Sequence, residues 1–139
     1  AKFRELLKPI GLEDRMEDNV GLLSGGQRQA LTLLMTTLSR PSLMLLDEHT
    51  AALDPRNAEI VMNLTKEYIE RFNLTAMMVT HNMQFAIDYG NRLIMMDEGH
   101  IILDVAGEDK KKLTVPALID EFRKIRRKEF DSDEGLLTT

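Results

Sequence analysis

The chain has 139 residues, a single domain's length, with 43% hydrophobic and 29% charged content, ordinary for a globular protein. A net charge of −5 argues against broad electrostatic attraction to nucleic acid, and the absence of cysteine excludes disulfides and thiolate metal sites. No apolar run approaches the ~20 residues that cross a bilayer, and Ala1-Lys2-Phe3-Arg4-Glu5 has no signal-peptide pattern, so a cytoplasmic chain is expected.

In chain order, residues 3–8 predict the end of a helix stopped by Pro9, and Glu13 to Asn19 is polar. Ser24 is a good helix N-cap, with Gln27 at the capping-box position. The helix it opens is expected to reach Ser39, burying Ala30, Leu31, Leu34, Met35 and Leu38, and Pro41 closes it. Leu43–Asp47 is a continuous apolar run ending in acid, as in a strand of a parallel sheet buried on both faces. Asp54-Pro55 starts a second helix, with Val61, Leu64, Tyr68 and Phe72 along one side.

Thr75–Thr80 predicts a second strand, Met83–Asp88 a short helix and Arg92–Met96 a third strand. Asp97-Glu98-Gly99-His100 is a tight turn into a fourth strand, Ile101–Val105. Leu118, Phe122 and Ile125 space a last amphipathic helix. Met77, Met78, Met95 and Met96 are expected to fill the core. The basic run Arg123, Lys124, Arg126, Arg127 and Lys128 is expected to be a solvated helix face, and His100 a turn residue. Alternating strands and helices give an α/β domain with a largely parallel sheet.

Two places carry candidate chemistry on physical grounds. In Leu23-Ser24-Gly25-Gly26-Gln27, unpaired N–H groups at a helix start face outward, and two glycines allow close approach, which suits an anion. A glycine-rich loop that merely precedes a helix has the same pattern. Asp47 and Glu48 end a buried strand, where ligands bind in parallel sheets; one acid can hold the water shell of Mg²⁺ while its neighbour polarises an attacking water. A strand exiting into solvent would also carry acids.

The two together, with Ala51-Ala52-Leu53-Asp54 and Val79-Thr80-His81-Asn82 following in order, resemble the ATP-binding-cassette (ABC) ATPases over residues 10–105. The resemblance is to the C-terminal half of an ABC transporter ATP-binding subunit. It implies that Ser24, Gly25, Gly26 and Gln27 are the signature loop, which contacts the γ-phosphate of ATP held by the opposite subunit. It also implies that Asp47 is the Mg²⁺ acid of the Walker B motif, Glu48 the catalytic base, Asp54 part of the dimer-crossing D-loop and His81 the switch histidine. Asp54 also reads as an ordinary N-cap. His49 departs from the pattern, since many relatives have proline after the catalytic acid.

No G-x-x-x-x-G-K-[ST] phosphate loop occurs in these residues. In the family, the strand leading to that loop lies between the strand ending at His81 and the one at Arg92–Met96. Without it, open edges and uncovered apolar faces are expected, and with them self-association with swapped elements, or a rearranged sheet. The expectation is therefore a partial P-loop NTPase domain over residues 1–130, with a disordered tail at 131–139. The implied cofactors, ATP and Mg²⁺, would need the other half or a partner chain. The implied partners are a second ATP-binding subunit and transmembrane permease subunits of a solute importer, with the protein at the inner membrane face and no direct nucleic-acid contact. A non-enzymatic, partner-binding half-domain is the alternative, and an ABC-type ATPase acting on DNA or ribosomes a minor one.

Overall fold

The computed structural model describes residues 2–137 in backbone and residues 4–128 in side chains. The chain divides into two compact units, Ala1–Val79 and Thr80–Thr139.

The first unit contains α1 (Lys2–Leu7), α2 (Gly25–Leu38), β1 (Met44–Asp47), α3 (Pro55–Phe72) and β2 (Ala76–Val79), with 3₁₀ turns at Lys8–Ile10 and Val20–Leu22. Ser24 and Gln27 form the reciprocal capping box that the sequence predicts: the Gln27 N–H donates to Ser24 Oγ at 3.2 Å, and the Ser24 N–H donates to Gln27 Oε1 at 3.1 Å. Asn73 ends α3 in the left-handed conformation, a position asparagine tolerates. β1 and β2 pair in parallel, with Leu45 opposite Met77 and Asp47 opposite Val79.

The core lies between this pair and helices α2 and α3, around Ala30, Leu33, Leu34, Met44, Leu64 and Tyr68. On α2 the buried stripe is Gly26, Ala30, Leu33, Leu34 and Thr37, rotated from the expected one. Ala30 and Leu34 belong to both stripes, but Met35 and Leu38 face solvent because the helix turns its glycine side to α3. β1 is covered on one face only. Met44 and Leu46 face the core, while Leu45 is 68% exposed, and Leu43, Met77 and Val79 on the same side are about half exposed. The expectation of a strand buried twice over fails because, among the described residues, the sheet in this unit has two strands, and only the face bearing Met44 and Leu46 packs against the core with α2 and α3. Met77 and Met96 correspondingly are exposed rather than core-filling.

The second unit contains α4 (Met83–Asp88), β3 (Arg92–Asp97), β4 (His100–Ala106), α5 (Gly107–Lys111) and α6 (Val115–Leu137). Glu98 and Gly99 both take positive φ, 46° and 81°, which is the tight hairpin turn the sequence predicts. β3 and β4 pair antiparallel, with a bulge at Met95/Met96. Leu93 and Leu118 are buried. Lys110, also buried, donates from Nζ to the Ile87 carbonyl in the last turn of α4, where helix carbonyls lack intrahelical donors. Burial holds its pKa below the ordinary lysine value, and the Asp88 charge opposes that shift. Arg126 ties α6 to the hairpin through Asp97 and Glu98, each at 3.0 Å. The rest of the basic run is solvated, as expected. The tail expected at 131–139 lies outside the described side chains, and Thr138 and Thr139 lie outside the described backbone.

Among the described residues, β2 pairs with β1 and β3 with β4, and neither has a second partner strand. No helix among the described residues is long and apolar enough to cross a membrane.

Candidate functional site

In the first unit the segments Leu23–Gln27 and Ala51–Asn57 meet at the starts of α2 and α3. Ser24 caps one helix and Asp54 the other. Asp54 Oδ1 accepts from the Asn57 N–H at 3.2 Å, and Asp54 Oδ2 accepts from Asn57 Nδ2 at 2.6 Å. These donations from the Asn57 backbone and side chain hold the Asp54 carboxyl below its ordinary value of 3.8. Its stabilising effect is therefore present above that value and is lost as pH falls below it.

Gly25 and Gly26 have different surroundings, and neither is required by backbone dihedrals. Gly25 is exposed; a Cβ there would meet Leu53 Cδ2 at 3.6 Å, an ordinary contact. Its bare backbone leaves room for a ligand against the helix start. Gly26 is buried against Asn57, and a Cβ would stand 3.3 Å from Asn57 Cγ and 3.4 Å from Asn57 Cβ. The Asn57 side chain cannot swing aside without breaking its Nδ2 bond to Asp54. We expect Gly26→Ala to lower stability by about 1 kcal/mol in urea unfolding, because crowding exceeds the helix-propensity gain. Gly25→Ala should leave the midpoint unchanged or raise it. A Gly26→Ala protein as stable as Gly25→Ala would contradict this packing.

Asp47 ends β1 as an exposed carboxylate on the same side as Leu45. Glu48 follows with φ at +44°, a left-handed conformation costing a non-glycine residue about 1–2 kcal/mol. Its N–H donates to the Val79 carbonyl at 2.9 Å, extending the parallel ladder, and its carbonyl accepts from the Ala51 N–H at 2.9 Å. Such strain persists only where the surroundings impose it and is concentrated at functional sites.

His49 is half-buried, with Nε2 3.0 Å from Thr65 Oγ1 on α3. Burial lowers its pKa below the ordinary 6.5. The unfolded chain therefore binds the proton more readily, and stability falls as pH drops from 6.5 toward the lowered value.

His81 is exposed at the start of the second unit, just before Asn82, which caps α4 by accepting the Phe85 N–H at 3.1 Å. The structure thus gathers Ser24, Gly25, Gly26, Gln27, Asp47, Glu48 and Asp54 in one unit and places His81 in the other. Sequence reasoning missed Asn57 and Thr65. Asn57 had a signal, since a polar residue three after an N-cap is the reciprocal capping position; Thr65 had none.

The donor set suits Mg²⁺ in a limited way. No group of three or more His, Cys, Asp or Glu side chains among the described residues could hold a metal ion. Mg²⁺ commonly takes one or two carboxylates and fills its shell with water and phosphate oxygens, and exposed Asp47 can supply one.

Residues 1–51, which include Leu23–Gln27 and Asp47–Glu48, match the family model described as ABC transporter. The chain is 45% identical over 122 residues to a tyrosine transport ATP-binding protein of Clostridioides difficile, covering 86% of this chain and 49% of that protein. It is 34% identical over 119 residues to the methionine import ATP-binding protein MetN of Streptococcus pneumoniae, covering 82% of this chain and 34% of that one. The chain thus spans about half the length of the first relative and about a third of the second. Its fold resembles the crystal structure of an ATP-binding cassette of an ABC transporter in the ADP conformation. There the TM-score is 0.69 at 24% identity, over 85% of this chain and 47% of that one. This chain is therefore a homologue, over most of its length, of ABC transporter ATP-binding proteins, and it has part of their ATPase-domain fold.

Proposed function

We propose that these residues are the C-terminal half of an ATPase domain that powers solute import and are inactive without a phosphate-loop half. In that role Asp47 takes up Mg²⁺ and Glu48 activates the attacking water. His81 senses the γ-phosphate, and Ser24, Gly25, Gly26 and Gln27, with Asp54 nearby, complete the site of a second ATP-binding subunit. ATP and Mg²⁺ supply the phosphoryl group and the charge that neutralises it. The assembly would sit at the cytoplasmic face of the membrane, against transmembrane permease subunits.

The observation that carries this reading is the strained Glu48 at the end of β1, directly after exposed Asp47 and in the same unit as a capped, glycine-opened helix. What supports a missing half is the lack of a phosphate loop in these residues together with the exposed apolar face of Leu43, Leu45, Met77 and Val79. Such a face beside an unextended two-stranded sheet suits coverage by further strands. The same face favours a second reading, in which the half-domain works by pairing with itself or another protein without hydrolysing anything.

Titrating Mg·ATP into the purified chain by calorimetry tests the incomplete site. No heat of binding is expected, since the backbone cradle and lysine that grip the phosphates are not among these residues. Micromolar binding would overturn the half-site reading.

A further inference from the structure

His49 stands directly after Glu48, and its ring reaches α3, where Nε2 lies 3.0 Å from Thr65 Oγ1. Thr65 Oγ1 is also 2.7 Å from the Val61 carbonyl oxygen. A carbonyl can only accept, so the single hydroxyl hydrogen of Thr65 is given to Val61. The hydroxyl then offers His49 only lone pairs, and the imidazole must be the donor. The neutral ring is therefore the Nε2–H tautomer, with the lone pair on Nδ1. This bond joins the turn at residues 48–51, closed by the Ala51 N–H on the Glu48 carbonyl at 2.9 Å, to a helix whose Val61, Leu64 and Tyr68 are buried in the core. Thr65 itself is buried, so the anchor point does not move with solvent.

We propose that His49 is a positioning residue for Glu48: its Nε2–H bond to Thr65 pins the turn to α3 and holds the Glu48 backbone left-handed. A proline at this position would stiffen the turn through its ring; histidine does so through a hydrogen bond across 16 residues of sequence. The catalytic consequence rests on the reading of Glu48 as the group that activates water, while the anchor does not.

Nitrogen-15 NMR and amide exchange on the labelled chain test the anchor. At about pH 8, above the ordinary imidazole range, the His49 ring should show an Nε2–H proton protected from solvent exchange; Thr65→Val should lose that protection and Thr65→Ser keep it. Ala51 amide exchange should rise roughly tenfold in His49→Asn and Thr65→Val, the scale of one net hydrogen bond. His49→Gln, which can present an N–H near the place of Nε2, should keep the exchange slow, and the Tyr68 amide should not respond to any of these changes. An Nδ1–H tautomer, or equal exchange in His49→Asn and His49→Gln, would overturn the anchor.

Activity is read with the chain mixed with a polypeptide carrying the phosphate-loop half. There His49→Asn should lower kcat about tenfold at unchanged KM, with His49→Gln restoring it. Unaltered kcat in His49→Asn would overturn the positioning role. If hydrolysis were also indifferent to Glu48→Gln, the catalytic reading of Glu48 would fall as well, whatever the NMR showed.

Discussion

Tyr68→Ala is expected to move the urea midpoint of the first unit sharply down. Tyr68 is fully buried; its hydroxyl donates to the Leu6 carbonyl at 3.0 Å across 62 residues of sequence, and its ring packs near Phe72 with centroids 6.3 Å apart. Removing such a ring costs about 3–5 kcal/mol. A domain of this size has about 5–15 kcal/mol in total, and one sheet face of this unit is bare. Tyr68→Phe keeps the ring and loses the bond, at about 1 kcal/mol. Burial, with the Glu67 charge adding to it and Arg71 opposing, raises the Tyr68 pKa above 10.0. The native protein should therefore lose stability as pH rises past 10.0 toward the raised value, and Tyr68→Phe should abolish that alkaline slope. Circular dichroism in urea reads both effects; equal midpoints for the alanine and phenylalanine variants would contradict this account of the core.

How much the sequence revealed depended on the range of the forces involved. Caps and turns depend on a few adjacent residues, and they emerged as written: Ser24 with Gln27, Asp54-Pro55, and the hairpin at Glu98-Gly99. The strand cores were also legible from their apolar runs. The covered side of each element was not. Met35 and Leu38 lie on a helical stripe that would face a sheet, but Gly26 draws α2 onto α3 and rotates them outward. Leu45 and Met77 are written for burial, yet both are exposed among the described residues.

At the candidate site, residue identities were readable because the motifs are contiguous. The contacts Gly26–Asn57 and His49–Thr65 were not, because each joins positions distant in sequence and only packing brings them together. Among the described residues β2 and β3 each have one partner strand, as the open edges expected without a phosphate-loop strand require.

The second large effect concerns Glu48. With the phosphate-loop half supplied as a separate polypeptide, Glu48→Gln should reduce hydrolysis at least about a hundredfold while nucleotide affinity stays the same. The glutamine keeps the size and the left-handed backbone but cannot take a proton from water. A loss of affinity with unchanged turnover would instead mark Glu48 as a binding group.

The same mixture tests the central claim most directly. Phosphate release should be absent from this chain alone and from the phosphate-loop half alone. It should appear when they are combined, and disappear again with Glu48→Gln. Glu48-dependent hydrolysis by this chain alone would show a complete site in these 139 residues and contradict the account.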